Sequence, residues 1–515
     1  MAQKEATEQL ALDSGTSRAL TLSELERHLL GAADLLRGLV DQADFKSYIF
    51  PLFFYKRLCD VYGEEYEEAL ELSDGDREFA AKADQHRFVI PEGHRWSDVV
   101  ATPDHELGGA LITALREVEK ANPEKLDGIF GDTPWTNRDR VPPRVLRALL
   151  DHFSARFLGD AHADSDLLGQ AYEYLIKKFA DLSNKKAGEF YTPRAVVELL
   201  VNILAPRAGE TVYDPACGTG GMLIEVANHF ARQGIPTQRL YGKVFGQEKN
   251  LTTSGIARMN LILHKIEDFR IERGDTLRHP VFTDREDRLK TFDCVIANPP
   301  FSLAAWGDDS WDADPFGRGE FGTPPTSTAD WAWVQHMIAS MRPDTGRAVV
   351  VLPQGILFRG GREAKIRKKI IEADAIESVI GLGGKLFYGA ELAACVLVLR
   401  ARKPKERRGK ILFVDASDQF RKSRNQNVLE AEHTSRIHGW YRAFANIEGR
   451  SHLADEADIA KHDGSLSISL YVSKNRAAEL PSLADAIVKL EGALADAAAA
   501  EDELRHRLKE WGFLG

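Results

Sequence analysis

Residues 211–233 read TVYDPACGTGGMLIEVANHFARQ, and the order within that stretch decides the fold. A short apolar run, TVYD, ends on the carboxylate of Asp214. A glycine-rich turn follows, and then an apolar pattern at helical spacing. Gly218, Gly220 and Gly221 let the backbone turn sharply and approach a ligand closely, with the amides of the next helix facing it. Taken alone, such a turn is often no more than a tight strand-to-helix connection. The chain beyond it adds weight. VFGQE (244–248) closes on Glu248, where an acidic side chain can accept hydrogen bonds from ribose hydroxyls, and FRIERGD (269–275) closes on Asp275. Three carboxylates at successive strand ends describe a nucleoside pocket. Neither GxGxxG nor GxxxxGK[ST] occurs, so a nucleoside without a pyrophosphate is the better ligand, and S-adenosylmethionine fits.

The same alternation continues. FDCVIANPP (292–300), RAVVVLP (347–353), AIESVIGL (375–382) and AACVLVLR (393–400) are short apolar runs separated by helical stretches. Strands spaced in this way predict an α/β domain with a doubly wound, mostly parallel, Rossmann-like sheet. Its ligand is expected outside the carboxyl ends of the strands.

Upstream the period differs. Residues 1–19 form a polar tail, and residues 20–155 carry no alternating strand pattern. Ser23 reads as an N-cap before ELERHLLGAADLLRGLV, DFKSYIFPLFFYKRLCDVYGEEYEEALEL is aromatic and helical, and Pro142–Pro143 precede the amphipathic RVLRALLDHFSARFL. We read 20–155 as a helical N-terminal domain, 156–475 as the catalytic domain and 476–515 as a coiled-coil-like C-terminal helix. In that helix Leu483, Ile487, Leu490, Leu494, Ala497, Leu504, Leu508 and Trp511 fall on a 4-3 spacing broken by Glu501. The seam suits either its own domain or helices of another chain.

Composition narrows the function. Lys and Arg number 67 against 78 Asp and Glu, a net charge of −11, which argues against a chain that grips nucleic acid alone over a wide surface. Local basic runs, FRGGREAKIRKK (358–369) and RKPKERRGK (402–410), are candidates for phosphate contact or plain solvated surface. No apolar run is long enough to span a membrane. Cys59, Cys217, Cys294 and Cys395 form no CxxC pair, which fits a reducing cytoplasm, and no HExxH motif marks a metal site.

Asn298-Pro299-Pro300-Phe301 closes the fourth strand of the series. Asn-Pro-Pro in isolation is usually a turn. About 80 residues beyond the glycine turn, at the end of an apolar strand, it carries chemistry. An exocyclic amine on adenine is a poor nucleophile, because its lone pair is delocalised into the ring. The Asn298 side-chain oxygen and the Pro299 carbonyl can accept hydrogen bonds from that NH2, favour a pyramidal nitrogen and aim its lone pair. The two prolines hold the loop rigid. Phe301 offers a face to a base rotated out of a helix, and Phe387 in LFYG (386–389) is a second aromatic for that base or a core residue. The Gly- and Pro-rich connection from Phe301 to Trp331 reads as a lid that orders when DNA binds.

These residues resemble a family. DPACGTGG is similar to the S-adenosylmethionine motif of amino-methylating DNA methyltransferases, and EFYTPRAVVELLV (189–201) resembles their second cofactor segment. The resemblance implies cofactor contacts from Glu189, Phe190, Tyr191, Thr192, Pro193 and Arg194, and from Gly218, Thr219, Gly220 and Gly221. It further implies Asp214 at the methionine portion, Glu248 at the ribose and Asp275 at the adenine edge. RNA methylases and glutamine methylases share the turn and an NPPF-like corner. However, SELERHLLGAADLLRGLVDQADFKSYIFPLFFYKRLCDVY resembles the N-terminal domain of the modification (M) subunit of type I restriction-modification systems. VVVLPQGILFRGGREAKIRKKIIEADAIESVIGLGGKLFYGAELAACVLVLR resembles the later half of that subunit's catalytic domain. Membership implies N6-adenine methylation of double-stranded DNA and a separate specificity (S) subunit with two M subunits per S. It also implies a restriction (R) subunit in the full complex. The C-terminal seam is then a candidate for docking on the S subunit. A methyltransferase acting on protein or RNA, and a DNA-binding scaffold without turnover, are the competing functions.

Overall fold

The computed structural model describes residues 20–163, 165–182, 192–387, 393–423, 426–473 and 483–511. The first part is helical, as the absence of alternation predicts. The helix Leu22–Leu36 is capped two residues earlier than expected. Thr21, not Ser23, is the N-cap, and its hydroxyl and the Glu24 carboxylate satisfy each other's backbone amides in a capping box. Leu25, Leu29, Ala32 and Leu36 face inward from it. The helix Phe45–Leu72 is apolar on nearly every side of its first half and forms the centre of the helical unit. Lys56 pairs with Asp60 and Arg57 with Asp160, so the charges buried along this helix are matched. The helix Ser165–Leu182 follows the boundary drawn at residue 155, yet it packs into this same core, with Tyr172 tilted 4.4 Å from Phe50.

The second part is a nine-stranded sheet. Its strands are β1 Val212–Asp214, β2 Val244–Glu248, β3 Phe269–Arg273, β4 Cys294–Ala297, β5 Arg347–Pro353, β6 Ile376–Leu382, β7 Ala394–Arg400, β8 Lys410–Ala416 and β9 Ser451–Asp455. Their order is β3-β2-β1-β4-β5-β7-β6-β8-β9. The strands from β3 to β5 are parallel, whereas β7 runs antiparallel between β5 and β6, and β9 is antiparallel to β8. The sequence reading found seven strands and missed β8 and β9. KILFVDA does carry the apolar run Ile411–Val414, but the basic stretch RKPKERRG directly before it drew the reading to exposed surface, and SHLAD is a short polar edge.

Alternate residues of the strands feed two cores. Val212, Cys294, Ile296 and Val349 face the helices Arg194–Leu204, Gly221–Arg232 and Ala431–Ala443. Tyr213, Val295, Ala297, Ala348 and Val350 face Asp330–Ala339 and Arg362–Glu372. The helix Leu251–Leu263 joins the two parts: Ala257 and Leu261 pack on the sheet side, while Ile256, Met259 and Leu263 enter the helical core. The chain leaves β1 outward to β2 and β3, then returns to lay β4 on the other side of β1. The sheet therefore changes direction between β1 and β4, and a crevice opens beyond their carboxyl ends. No described helix is long and apolar enough to cross a membrane.

Candidate active site

Both motifs singled out in the sequence end at that crevice, Asp214 on β1 and Asn298 just beyond β4. The glycine turn is held from several sides. Gly218 (φ 53°) and Gly220 (φ 82°) take left-handed backbone that a side chain would strain, and Gly220 caps the helix Gly221–Arg232. Asp214 Oδ1 accepts the Ala216 amide at 3.0 Å. Glu248 accepts the amides of Gly218 (3.1 Å) and Asn250 (2.8 Å) through its two oxygens, so the expected ribose ligand also pins the turn. Asp275 lies just past β3. The Gly274 amide reaches back to the Glu248 carbonyl at 3.0 Å, keeping the two acidic residues side by side, and Lys249 pairs with Asp275 at 2.9 Å. The three carboxylates read from the sequence thus come together around one turn.

Asp214 is 1% exposed. Burial first, and the charge of Glu248 behind it, push its carboxyl up to about 8 against the hydrogen bond from Ala216. A buried acid of that kind favours a cationic partner, such as the ammonium of an amino acid.

Of the second segment, Glu189, Phe190 and Tyr191 lie outside the described residues. Pro193 starts the helix Arg194–Leu204, and Thr192 and Arg194 line one cavity together with Thr219, Gly221 and Asn260. Asn260 was not visible as a site residue. It is buried on the helix Leu251–Leu263, and its Nδ2 donates to the Thr219 carbonyl at 3.0 Å, bracing the turn from behind. A single Asn between the apolar residues Met259 and Leu261 was its only sequence signal.

At the Asn298 corner, Nδ2 donates to the Thr192 hydroxyl at 2.8 Å, while Oδ1 is buried and has no hydrogen-bond partner among the described residues. Pro299 is buried behind it. The Phe301 and Phe387 rings meet edge to face at 5.9 Å, which brings both predicted aromatics to the same corner, Phe387 with only 3% exposure. The chain leaves Phe301 through Ser302 in left-handed backbone (φ 52°). Its amide donates at 2.8 Å to the fully buried carboxylate of Asp330, whose other oxygen receives Arg359 at 2.8 Å.

The connection expected to be a lid is a packed cap. Trp306, Trp311, Ala329, Trp333 and Leu277 form a small core of their own. Arg318, 3% exposed, pairs with Asp314 at 2.6 Å and donates to the carbonyls of Thr276 (2.9 Å) and Leu277 (3.0 Å), the residues directly after Asp275. Thr276 in turn donates to the Pro215 carbonyl at 2.6 Å. The tryptophans supplied the apolar area that a Gly- and Pro-rich composition concealed. The basic runs also divide. Arg367 and Lys403 are buried braces on backbone carbonyls, whereas Arg362, Lys365, Lys368, Lys369, Arg402, Lys405 and Arg408 face solvent.

Residues 163–479 match the family described as N-6 DNA Methylase, and residues 25–153 match the HsdM N-terminal domain. The type I restriction enzyme MjaVII methylase subunit of Methanocaldococcus jannaschii is 34% identical over 478 residues, 88% of this chain and 78% of that protein. The HindI methylase subunit of Haemophilus influenzae is 35% identical over 369 residues, 70% of this chain and 78% of that one. The crystal structure of a type I restriction-modification methyltransferase subunit from Streptococcus thermophilus superposes with a TM-score of 0.74 at 29% identity, covering 88% of this chain and all of that one. The chain therefore belongs to the N-6 DNA methylase family of adenine-specific DNA methyltransferases, among the methylase (M) subunits of type I restriction-modification systems.

Proposed function

We propose that this chain transfers a methyl group from S-adenosylmethionine to N6 of an adenine swung out of double-stranded DNA, within a complex whose S subunit chooses the site. The observation that carries the reading is Oδ1 of Asn298, buried and without a hydrogen-bond partner among the described residues, an acceptor placed to receive an amine. The cofactor would supply the sulfonium-activated methyl. Asp214, Glu248 and Asp275, with Gly218, Thr219, Gly220 and Gly221, would hold it, and the fit rests on three acidic side chains around a turn whose glycine at 218 has open space where a side chain would stand.

The chain's own residues then do the positioning. Asn298 Oδ1 and the Pro299 carbonyl accept from the target NH2 and turn its lone pair toward the methyl. Pro299 and Pro300 keep those acceptors from moving. Phe301 and Phe387 replace the stacking that the base gave up on leaving the helix. No nucleophilic side chain is needed. Cys294, inside β4 with burial pushing its thiol up, is not poised as one.

The partners follow from the same reading. With a net charge of −11, much of the DNA grip falls to other subunits, one S for two M, joined by R in the full complex. The test is incubation with methyl-labelled S-adenosylmethionine and DNA carrying the cognate site, with and without the S subunit. Label on adenine N6 only when both chains are present, and none with Asn298→Ala although that variant still binds the cofactor, is the expected result. Label on a protein or RNA acceptor, or undiminished transfer by Asn298→Ala, overturns the assignment.

A further inference from the structure

The amide of Asn298 has two ends alike in shape and opposite in function, one accepting and one donating. Only one orientation serves the reaction: turned over, the amide would set its own NH2 against the NH2 of the base. Something must therefore hold it. The geometry points to Thr192 as the positioning residue that anchors the Asn298 amide at the crevice corner, its hydroxyl accepting from Nδ2 while Oδ1 is left for the target amine, an inference that rests on the proposed role of Asn298.

The contact is direct. Asn298 Nδ2 donates to Thr192 Oγ1 at 2.8 Å, and Oδ1 of the same amide is buried and unbonded among the described residues. The two residues stand 106 positions apart, so the bond is made by the fold alone. Each side of it is rigid. Asn298 follows β4, which is hydrogen-bonded to β1 and β5, and the backbone beyond Phe301 is tied to Asp330. Thr192 precedes Pro193, which restricts its backbone. Pro193 in turn starts the helix Arg194–Leu204, packed on the sheet through Val196, Leu199 and Leu200. The hydroxyl is thus delivered from one packed element to the end of another, as a support for a reacting group requires. Thr192 also lines the cavity shared with Thr219 and Gly221. Its residue type was read as a cofactor contact, yet its one hydrogen bond among those described goes to the catalytic amide.

The two roles separate experimentally. In the full chain assembled with its S subunit, single-turnover methyl transfer at saturating S-adenosylmethionine and DNA reports the aim of the amide. Cofactor titration of the same assembly reports binding. Thr192→Val removes the hydroxyl at nearly constant volume, and Thr192→Ser keeps it. We expect Thr192→Val to slow the single-turnover step at least about tenfold, the scale on which small misplacements of a reacting group act, with cofactor affinity held within about twofold. Thr192→Ser should stay within about threefold of the parent rate. Thr192→Ala repeats the comparison should the valine methyl crowd the corner and unfold the chain, which the melting temperature shows. The inference is overturned if the hydroxyl-free variants keep the parent rate, if they lose only cofactor affinity and recover at saturation, or if Thr192→Ser falls as far as Thr192→Val. Asn298→Ala is the separate control. If that variant turns over normally, the reading of Asn298 itself fails, whatever Thr192 does.

Discussion

Asp214 concentrates the cost of building the cofactor site into one residue. Its carboxyl is held at about 8 against an ordinary value of 3.8. A group raised on folding contributes stability that is fully present below its unfolded value and is lost as pH rises through its folded value. The ligand-free protein should therefore lose on the order of 2 kcal/mol between pH 6 and pH 9 from this residue alone, as the buried carboxylate is forced to ionise. Asp214→Asn keeps the shape and cannot ionise. Its melting temperature should fall less than the parent's over that range, while its affinity for S-adenosylmethionine drops. Parallel pH–melting curves for the two proteins would remove the explanation. Where the proposed cofactor brings an ammonium to Asp214, binding should release a proton below pH 8, visible in calorimetry as an enthalpy that depends on the buffer.

At the scale of elements, the cap between Phe301 and Asp330 links the two halves of the crevice. One end carries the Asn298 corner through Ser302 and Asp330, and its middle holds the Asp275 loop through Arg318. Arg318 is matched by Asp314 and stacks 4.7 Å above Trp311. Arg318→Met would leave the Asp314 carboxylate buried without its counter-charge, a change that costs about 3–5 kcal/mol in a fully buried pair. That loss should appear locally. Amides of residues 302–329 should exchange faster by mass spectrometry while those of β4 and β5 keep their protection, and the apparent affinity for cofactor should weaken through the Thr276–Leu277 loop. Unchanged exchange in the cap would show that Arg318 does not hold it. Asp314→Asn retains a hydrogen-bonding partner and should lie between the two.

For the whole molecule, the C-terminal helix Leu483–Glu510 stands apart from the rest. Ile487, Val488, Leu490, Leu494 and Leu504 are all exposed, from 46% to 66%, and so is Trp511 at 65%. Of the two readings of the 4-3 seam, packing on its own domain gains no support from these side chains, which keep much of their surface open. Removing residues 480–515 should leave the melting temperature of the remainder within about 1 °C, because little apolar area is lost from the folded chain. The same deletion should abolish co-purification with the S subunit. If co-purification survives, the M–S contact lies elsewhere, and the exposed residues around Arg362 and Lys368 become the surface to test.

How much of this was legible beforehand follows from distance along the chain. The glycine turn, the three strand-end carboxylates and Asn298-Pro299-Pro300-Phe301 are local: each needs only its own strand and turn to point into the crevice, so period and composition were enough to find them. The helical start and the seven apolar strands were readable for the same reason. Thr192 on Asn298, Asn260 on Thr219, Arg318 on the carbonyls of Thr276 and Leu277, and Asp330 on Ser302 were not, because each joins residues from 28 to 106 positions apart, and three of the four end on a backbone atom that any sequence would supply. β8 escaped although Ile411–Val414 are apolar and buried, because a basic run precedes it, and β9 escaped because it is a short polar edge held by its pairing with β8. The order of its residues alone determined the run of strands and helices and put the glycine turn, the carboxylates and the Asn298 corner at strand ends. Which side chains hold that crevice to shape was decided only when packing brought distant donors within hydrogen-bond reach of their acceptors.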